Sequence, residues 1–234
     1  MEFSISEWLE KYQKKVANEF GNRIWFLGLQ GSYGRGEASE QSDIDVVLIL
    51  DQVSAEDLYR YGKLLDTLPD REKICGFVSG KEELLNWEPS DLFQFYYDTV
   101  PVMGLLDGLL SRIRPEDIRR AVHTGACNIY HMCGHNLLHE KSADILRELY
   151  KSAFFALQAA AFLQTGVYMK KKTDLMTVLS QKEKNVLEKS MELQKRKDLS
   201  ETEFREWSAV LLEWASDRIL QERDKKYLRE MMPL

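Results

Sequence analysis

The sequence predicts two units. An α+β unit, a small sheet with flanking helices, spans residues 1–110, and an all-α helical bundle spans residues 111–234. Three observations predict this. Short apolar runs of strand length alternate with amphipathic stretches in the first part, whereas helical periodicity takes over after Pro115. Pro101, Gly104 and Gly108 break the chain between them, placing the boundary near residues 105–115. The charge balance changes sign at the same place. Residues 1–110 carry 10 Lys+Arg against 20 Asp+Glu, and residues 111–234 carry 22 against 18.

Each element follows from its pattern. Residues 4–20 read as a helix, with Ser4 or Ser6 placed to cap it and Trp8, Leu9, Tyr12 and Val16 at helical spacing. Residues 23–30 form an apolar strand, followed by a glycine-rich turn at residues 31–36. Residues 44–50 are almost continuously apolar after Asp43-Ile44-Asp45, which predicts a central strand buried on both faces. Residues 54–68 read as a helix with Leu58, Tyr61, Leu64 and Leu65 on one face. Lys73 to Val78 is a third strand, residues 80–87 a short helix, and Leu92 to Tyr97 a fourth strand or a short helix. Beyond Pro115, helices are expected at about 116–139, 142–165, 172–180, 183–195 and 201–228. Gly166 stands where a helix would end.

Composition excludes several classes. Hydrophobic residues make up 44% and aromatics 11%, enough to build cores and too much for a disordered chain. A net charge of -6 argues against broad nucleic-acid or anionic-membrane binding. Cys75, Cys127 and Cys133 are odd in number and scattered, so no disulfide framework is implied and a reducing compartment fits. The first residues lack a signal-peptide hydrophobic region, and the most apolar run, Ala153 to Leu163, is too short to span a bilayer. A cytoplasmic protein is expected.

The chemistry lies in Gly31-Ser32 and, after ten intervening residues, Asp43-Ile44-Asp45. Side chains at i and i+2 of a strand point to the same face, so Asp43 and Asp45 stand together. Two ionised carboxylates repel, and a hard divalent cation such as Mg²⁺ relieves that repulsion. A pair of such ions clamps the attacking and leaving oxygens of a phosphoryl displacement. Ser32 and the N–H groups of the turn at Gly31 would hold triphosphate oxygens.

This pattern resembles the signature of the DNA polymerase beta-like nucleotidyltransferase superfamily, and Gly-Ser-Tyr-Gly-Arg-Gly-Glu-Ala followed by Ser-Asp-Ile-Asp looks like its small bacterial branch of minimal nucleotidyltransferases and antibiotic adenylyltransferases. The close match covers residues 24–50. Residues 142–180, with Gln164-Thr165-Gly166 and Lys170-Lys171-Lys172, are similar to the helical C-terminal domain of aminoglycoside (streptomycin/spectinomycin-type) adenylyltransferases and related HEPN-like bundles. The resemblance implies an α+β nucleotidyltransferase domain with a small mixed β-sheet and flanking helices, then the bundle. It implies Asp43 and Asp45 as catalytic metal ligands for Mg²⁺, and Gly31 and Ser32 as nucleotide-binding residues. Arg35 would brace the loop or the phosphates, and Lys151 and Lys171 of the bundle would reach the phosphates. The family places a third acidic residue on a later strand. Cys75 stands there in this chain, and Glu72 or Asp98 is expected to substitute.

The implied reaction transfers a nucleoside monophosphate, AMP from Mg·ATP or the equivalent from another nucleoside triphosphate, to a hydroxyl of a small acceptor, releasing pyrophosphate. The acidic first half favours a cationic acceptor such as an aminoglycoside-like antibiotic. Two alternatives stay open: an antitoxin-type or regulatory enzyme that modifies or binds a partner protein, and a degenerate nucleotide-binding module. No nucleic-acid or membrane partner is expected. His131, His135 and His139 share a helix face at i, i+4, i+8, a spacing that suits a zinc pair. They lack the intervening carboxylate of a His-Glu-x-x-His site, and packing or a polar face is the plainer reading. Arg119 and Arg120 lie too close to His123 for the Arg-to-His spacing that HEPN ribonucleases resemble one another by.

Overall fold

The computed structural model describes residues 3–40, 42–196 and 198–231, with side chains as far as Gln221. The chain divides into two compact units, Met1–Ile113 and Arg114–Leu234.

The first unit is built on a four-stranded sheet of order β3-β2-β1-β4, where β1 is Ile24–Leu29, β2 Ile44–Leu50, β3 Ile74–Gly80 and β4 Val100–Met103. The sheet is mixed. β1 pairs antiparallel with β2 and β4, and β2 runs parallel to β3. The residues of β2 alternate between two cores. Ile44, Val46, Leu48 and Leu50 pack with α1 (Ile5–Phe20) and α3 (Ala55–Leu65). Val47 and Ile49 pack on the other face with Leu84 of α4 (Lys81–Leu85) and Leu92 of α5 (Pro89–Asp98). Helix α1 supplies Trp8, Tyr12, Val16 and Phe20, one buried stripe over just over three turns, of which Val16 and Phe20 each contribute roughly 1.5–3 kcal/mol on burial. Ser4 caps its first turn, accepting the Glu7 N–H.

Two sequence expectations change here, the glycine-rich turn and the place of the fourth strand, and the open choice between strand and helix at Leu92 to Tyr97 falls to the helix. The glycine-rich segment is not an open turn but a short helix, α2 (Gly31–Arg35), closed by Gly36 in the left-handed region. Leu92 to Tyr97 belongs to a helix, because Pro89 occupies the first turn of α5 and Glu88 caps it. The fourth strand comes later, at β4, which tolerates Pro101 because it lies at the sheet's edge.

In the second unit, α7 (Ala143–Thr165) runs through the core. Leu146, Tyr150, Ala153, Phe154, Leu157 and Ala161 are buried against residues of α6 (Pro115–His135), α9 (Gln181–Leu193) and α10 (Glu201–Met231). The Tyr150 hydroxyl donates to the Trp207 carbonyl at 2.8 Å. Gln158, buried in that apolar run, donates to the carbonyls of Met169 and Lys170 and accepts the Tyr168 hydroxyl, so it pins the loop after α7. The helix expected at about 116–139 forms but changes character in its last turn. A π-helical turn, Asn136–Glu140, follows α6, and the Asn136 side chain exchanges two hydrogen bonds with the Ser142 backbone. The helix expected at 172–180 is only α8 (Lys172–Leu175), followed by turns. Among the described residues no helix is long and apolar enough to cross a membrane.

Candidate active site

The site assembles where β1 hands over to α2, beside the start of β2. Gln30 leaves β1 with its N–H still bonded to the Asp45 carbonyl at 2.7 Å. Gly31 follows at φ +66°, and a Cβ placed there would lie 1.9 Å from Asp45 Oδ2. Only glycine lets the backbone lie this close to that carboxylate. Helix α2 then turns once. Gly34 N–H bonds the Gln30 carbonyl, Gly36 N–H bonds the Tyr33 carbonyl, and Glu37 N–H returns to the Ser32 carbonyl. The N–H groups of Ser32 and Tyr33 fall in the first turn, where a helix offers no acceptor of its own.

Asp43 is exposed, Ile44 fully buried and Asp45 half-buried. The alternation turns both aspartates to the sheet face that also carries Val47 and Ile49, the face covered by α5. Cys75 of β3 stands in register with Asp45 across the parallel pair and is exposed. The strands come close because Gly76, at φ +141°, leaves no Cβ to meet the Val46 carbonyl. Glu72 is exposed in the helical turn Arg71–Lys73, three residues before Cys75.

Arg35 is directed into the protein. Its Nη1 donates to both oxygens of Asp98 at 3.1 and 2.9 Å, and its Nε lies 3.5 Å from Glu37 Oε2. Asp98 is buried at the end of α5 and also accepts the Gly31 N–H at 3.4 Å. Gln30 Nε2 donates to the Thr99 hydroxyl at 2.7 Å. Gln30 and Thr99 were not among the sequence candidates. The only local signal is a polar residue ending the apolar run of β1.

The structure thus sets Gly31, followed by Ser32, against the Asp45 carboxylate, with Asp43 two residues before Asp45; it turns Arg35 to Asp98 and leaves Glu72 in the turn before β3. Lys151 and Lys171 lie in the second unit and are exposed, Lys151 beside Glu148 at 3.8 Å. His135, at the end of α6, and His139, in the π turn that follows, bring their rings to 4.8 Å, with Glu140 beside His135. Among the described residues no group of three or more His, Cys, Asp or Glu side chains is arranged to hold a metal. The aspartate pair still fits Mg²⁺. That ion takes one or two carboxylates and completes its shell with substrate phosphates and water, and both donors here are oxygen. The glycine cradle at position 31 keeps backbone and carboxylate in contact, where a phosphate would meet both.

Residues 9–111 match the nucleotidyltransferase domain family. A Methanocaldococcus jannaschii protein, proposed by its name to be a protein adenylyltransferase, is 35% identical over 72 residues, which are 31% of this chain and 67% of that protein. This chain belongs to the nucleotidyltransferase family. The nucleotidyltransferase also shares its fold with spectinomycin adenyltransferase from Enterococcus faecialis, whose crystal structure holds ATP and spectinomycin. The TM-score is 0.59 at 12% identity, over 92% of this chain and 99% of that one. A small mixed sheet with flanking helices followed by a helical second half is therefore the architecture of a nucleotidyltransferase, and nucleotidyl transfer is its class of reaction.

Proposed function

We propose that this nucleotidyltransferase transfers AMP from Mg·ATP to a hydroxyl of a small acceptor, with pyrophosphate as the leaving group. The observation that carries this reading is the pair Asp43 and Asp45 on one sheet face, with Asp45 against the Gly31 cradle. Mg²⁺, when bound, neutralises charge on the phosphates and polarises the phosphoryl group under attack. Asp43 and Asp45 would hold it. Ser32 and the first-turn N–H groups of α2 bind and orient the triphosphate. Of the carboxylates available to take the acceptor's proton, Asp98 is buried with its oxygens committed to Arg35 and Gly31. Glu72 is exposed and takes that role in this scheme. Cys75, a soft donor beside a hard-metal site, takes none.

The acidic first unit supports a cationic small acceptor, the class to which the aminoglycosides belong. A protein acceptor is the second reading, favoured by the sequence likeness to the Methanocaldococcus jannaschii protein. One experiment separates them. The purified chain is incubated with Mg²⁺ and α-labelled ATP, first with a panel of aminocyclitol and aminoglycoside compounds, then with protein extract. Label on a small compound with equimolar pyrophosphate supports the first reading, and label on a polypeptide supports the second. Absence of label and pyrophosphate in both arms, with each of the four nucleotides, refutes transfer by this site.

A further inference from the structure

Helix α2 has five residues, too few to hold its own shape in water. Its conformation must come from what grips it. The end of α5 does so at three points. Asp98 Oδ2 accepts the N–H of Gly31, the first residue of α2. Both oxygens of Asp98 accept from Arg35, the last residue of α2. Thr99, the next residue, receives Gln30 Nε2 just before α2 begins, and its own hydroxyl donates back to the Phe95 carbonyl. The ion pair is well enclosed, with side-chain exposures of 9% for Arg35 and 7% for Asp98. A buried aspartate beside a phosphate site would by itself repel the ligand. Here the guanidinium of Arg35 neutralises it, so the charge of Arg35 is spent on Asp98 rather than offered to phosphate.

We propose that Asp98 is a positioning residue of the transfer reaction. By holding both ends of α2 it fixes Ser32 and the first-turn N–H groups in one arrangement beside the Asp45 carboxylate. It acts through the turn and touches no substrate. This rests on the reading of α2 as the triphosphate grip.

The test is calorimetric titration of Mg·ATP and of AMP into the full chain. AMP keeps the base, sugar and α-phosphate and lacks the two outer phosphates that the turn would hold. Asp98→Asn should weaken Mg·ATP by about tenfold or more, the loss expected when one partner of a charged hydrogen bond is removed, and AMP by less than about twofold. The double variant Arg35→Met/Asp98→Leu removes the ion pair as a whole, an exchange that buried pairs often tolerate without loss of stability. It should fold and show the same selective loss of Mg·ATP, with thermal unfolding of the free protein reporting the fold. Unchanged Mg·ATP affinity in the folded double variant, where no freed guanidinium can attract phosphate, overturns the positioning role, as does equal weakening of Mg·ATP and AMP in it. Failure of the wild-type chain to bind Mg·ATP overturns the reading of α2 as a nucleotide site and the proposal with it. The wild type therefore reports on the reading and the variants report on Asp98.

Discussion

Replacing Gly31 with alanine separates what the backbone requires from what the site requires. At φ +66° an L-residue costs roughly 1–2 kcal/mol. The new Cβ would fall 1.9 Å from Asp45 Oδ2 and 2.8 Å from its Cγ. To restore an ordinary contact the carboxylate must retreat by about 1.5 Å. Misplacing a reacting group by about 1 Å costs on the order of 100-fold in rate. Gly36 provides the control. It has φ +71°, and a Cβ there meets nothing within 4 Å. Gly36→Ala therefore carries the same backbone cost without displacing a carboxylate. Urea unfolding should show both variants destabilised by about 1–2 kcal/mol. Label transfer from Mg·ATP should fall by about 100-fold in Gly31→Ala alone. Equal transfer losses in the two variants, or full transfer in Gly31→Ala, would refute the idea that this contact sets the site.

Three further outcomes are expected. Mg·ATP at about 100 times its dissociation constant should stabilise the wild type by roughly 2.7 kcal/mol in thermal unfolding, and Asp45→Asn should abolish that shift. Cys75→Ser should keep label transfer within about twofold, as exposed substitutions without a role do, and a large loss would show that the sulfur itself acts. Asp57, whose carboxyl accepts from Arg23 and Ser54, is held well below the usual carboxylate range, chiefly by Arg23. Its folded value lies below its unfolded one, so its stabilisation is complete above about pH 4 and is lost as pH falls toward the folded value. Asp57→Asn should lower the unfolding temperature at neutral pH, with the gap to wild type closing in acid. A constant gap across that range would refute the linkage.

What the sequence reveals and what it hides follow from the range of the interactions involved. Strand β2 is legible because both its faces are buried, leaving a near-continuous apolar run that few other elements produce. The shared face of Asp43 and Asp45 is legible because it depends only on local alternation. Strand β4 is not. It is four residues long, contains a proline, and exists because β1 offers it a free edge. Helix α2 is hidden for a related reason. Three glycines in six residues read locally as a turn, and the bonds that hold the two ends of the helix come from Asp98, 63 and 67 residues away in the chain. Helix α5 is legible only through its start, Glu88-Pro89, since its aromatic run suits a strand equally well. In the second unit the span of the helix at about 116–139 is legible, but its final π turn is not, because Asn136 and Ser142 secure that turn with no change in periodicity to mark it.

The two-faced packing of β2 also limits how this protein can change. Ile44, Val46, Leu48 and Leu50 belong to one core, while Val47 and Ile49, in line with the two aspartates, belong to the other. Deleting or inserting a single residue within β2 would exchange the rows, driving a carboxylate into an apolar interior and turning Ile44 toward water. Lineages that acquire a new acceptor can therefore vary loops and surface side chains freely, but the length of this strand is closed to them. A mutational library over residues 43–50 should return substitutions and almost no indels. The reading frame of one strand is what ties the ancestry of the chemistry to the ancestry of the fold.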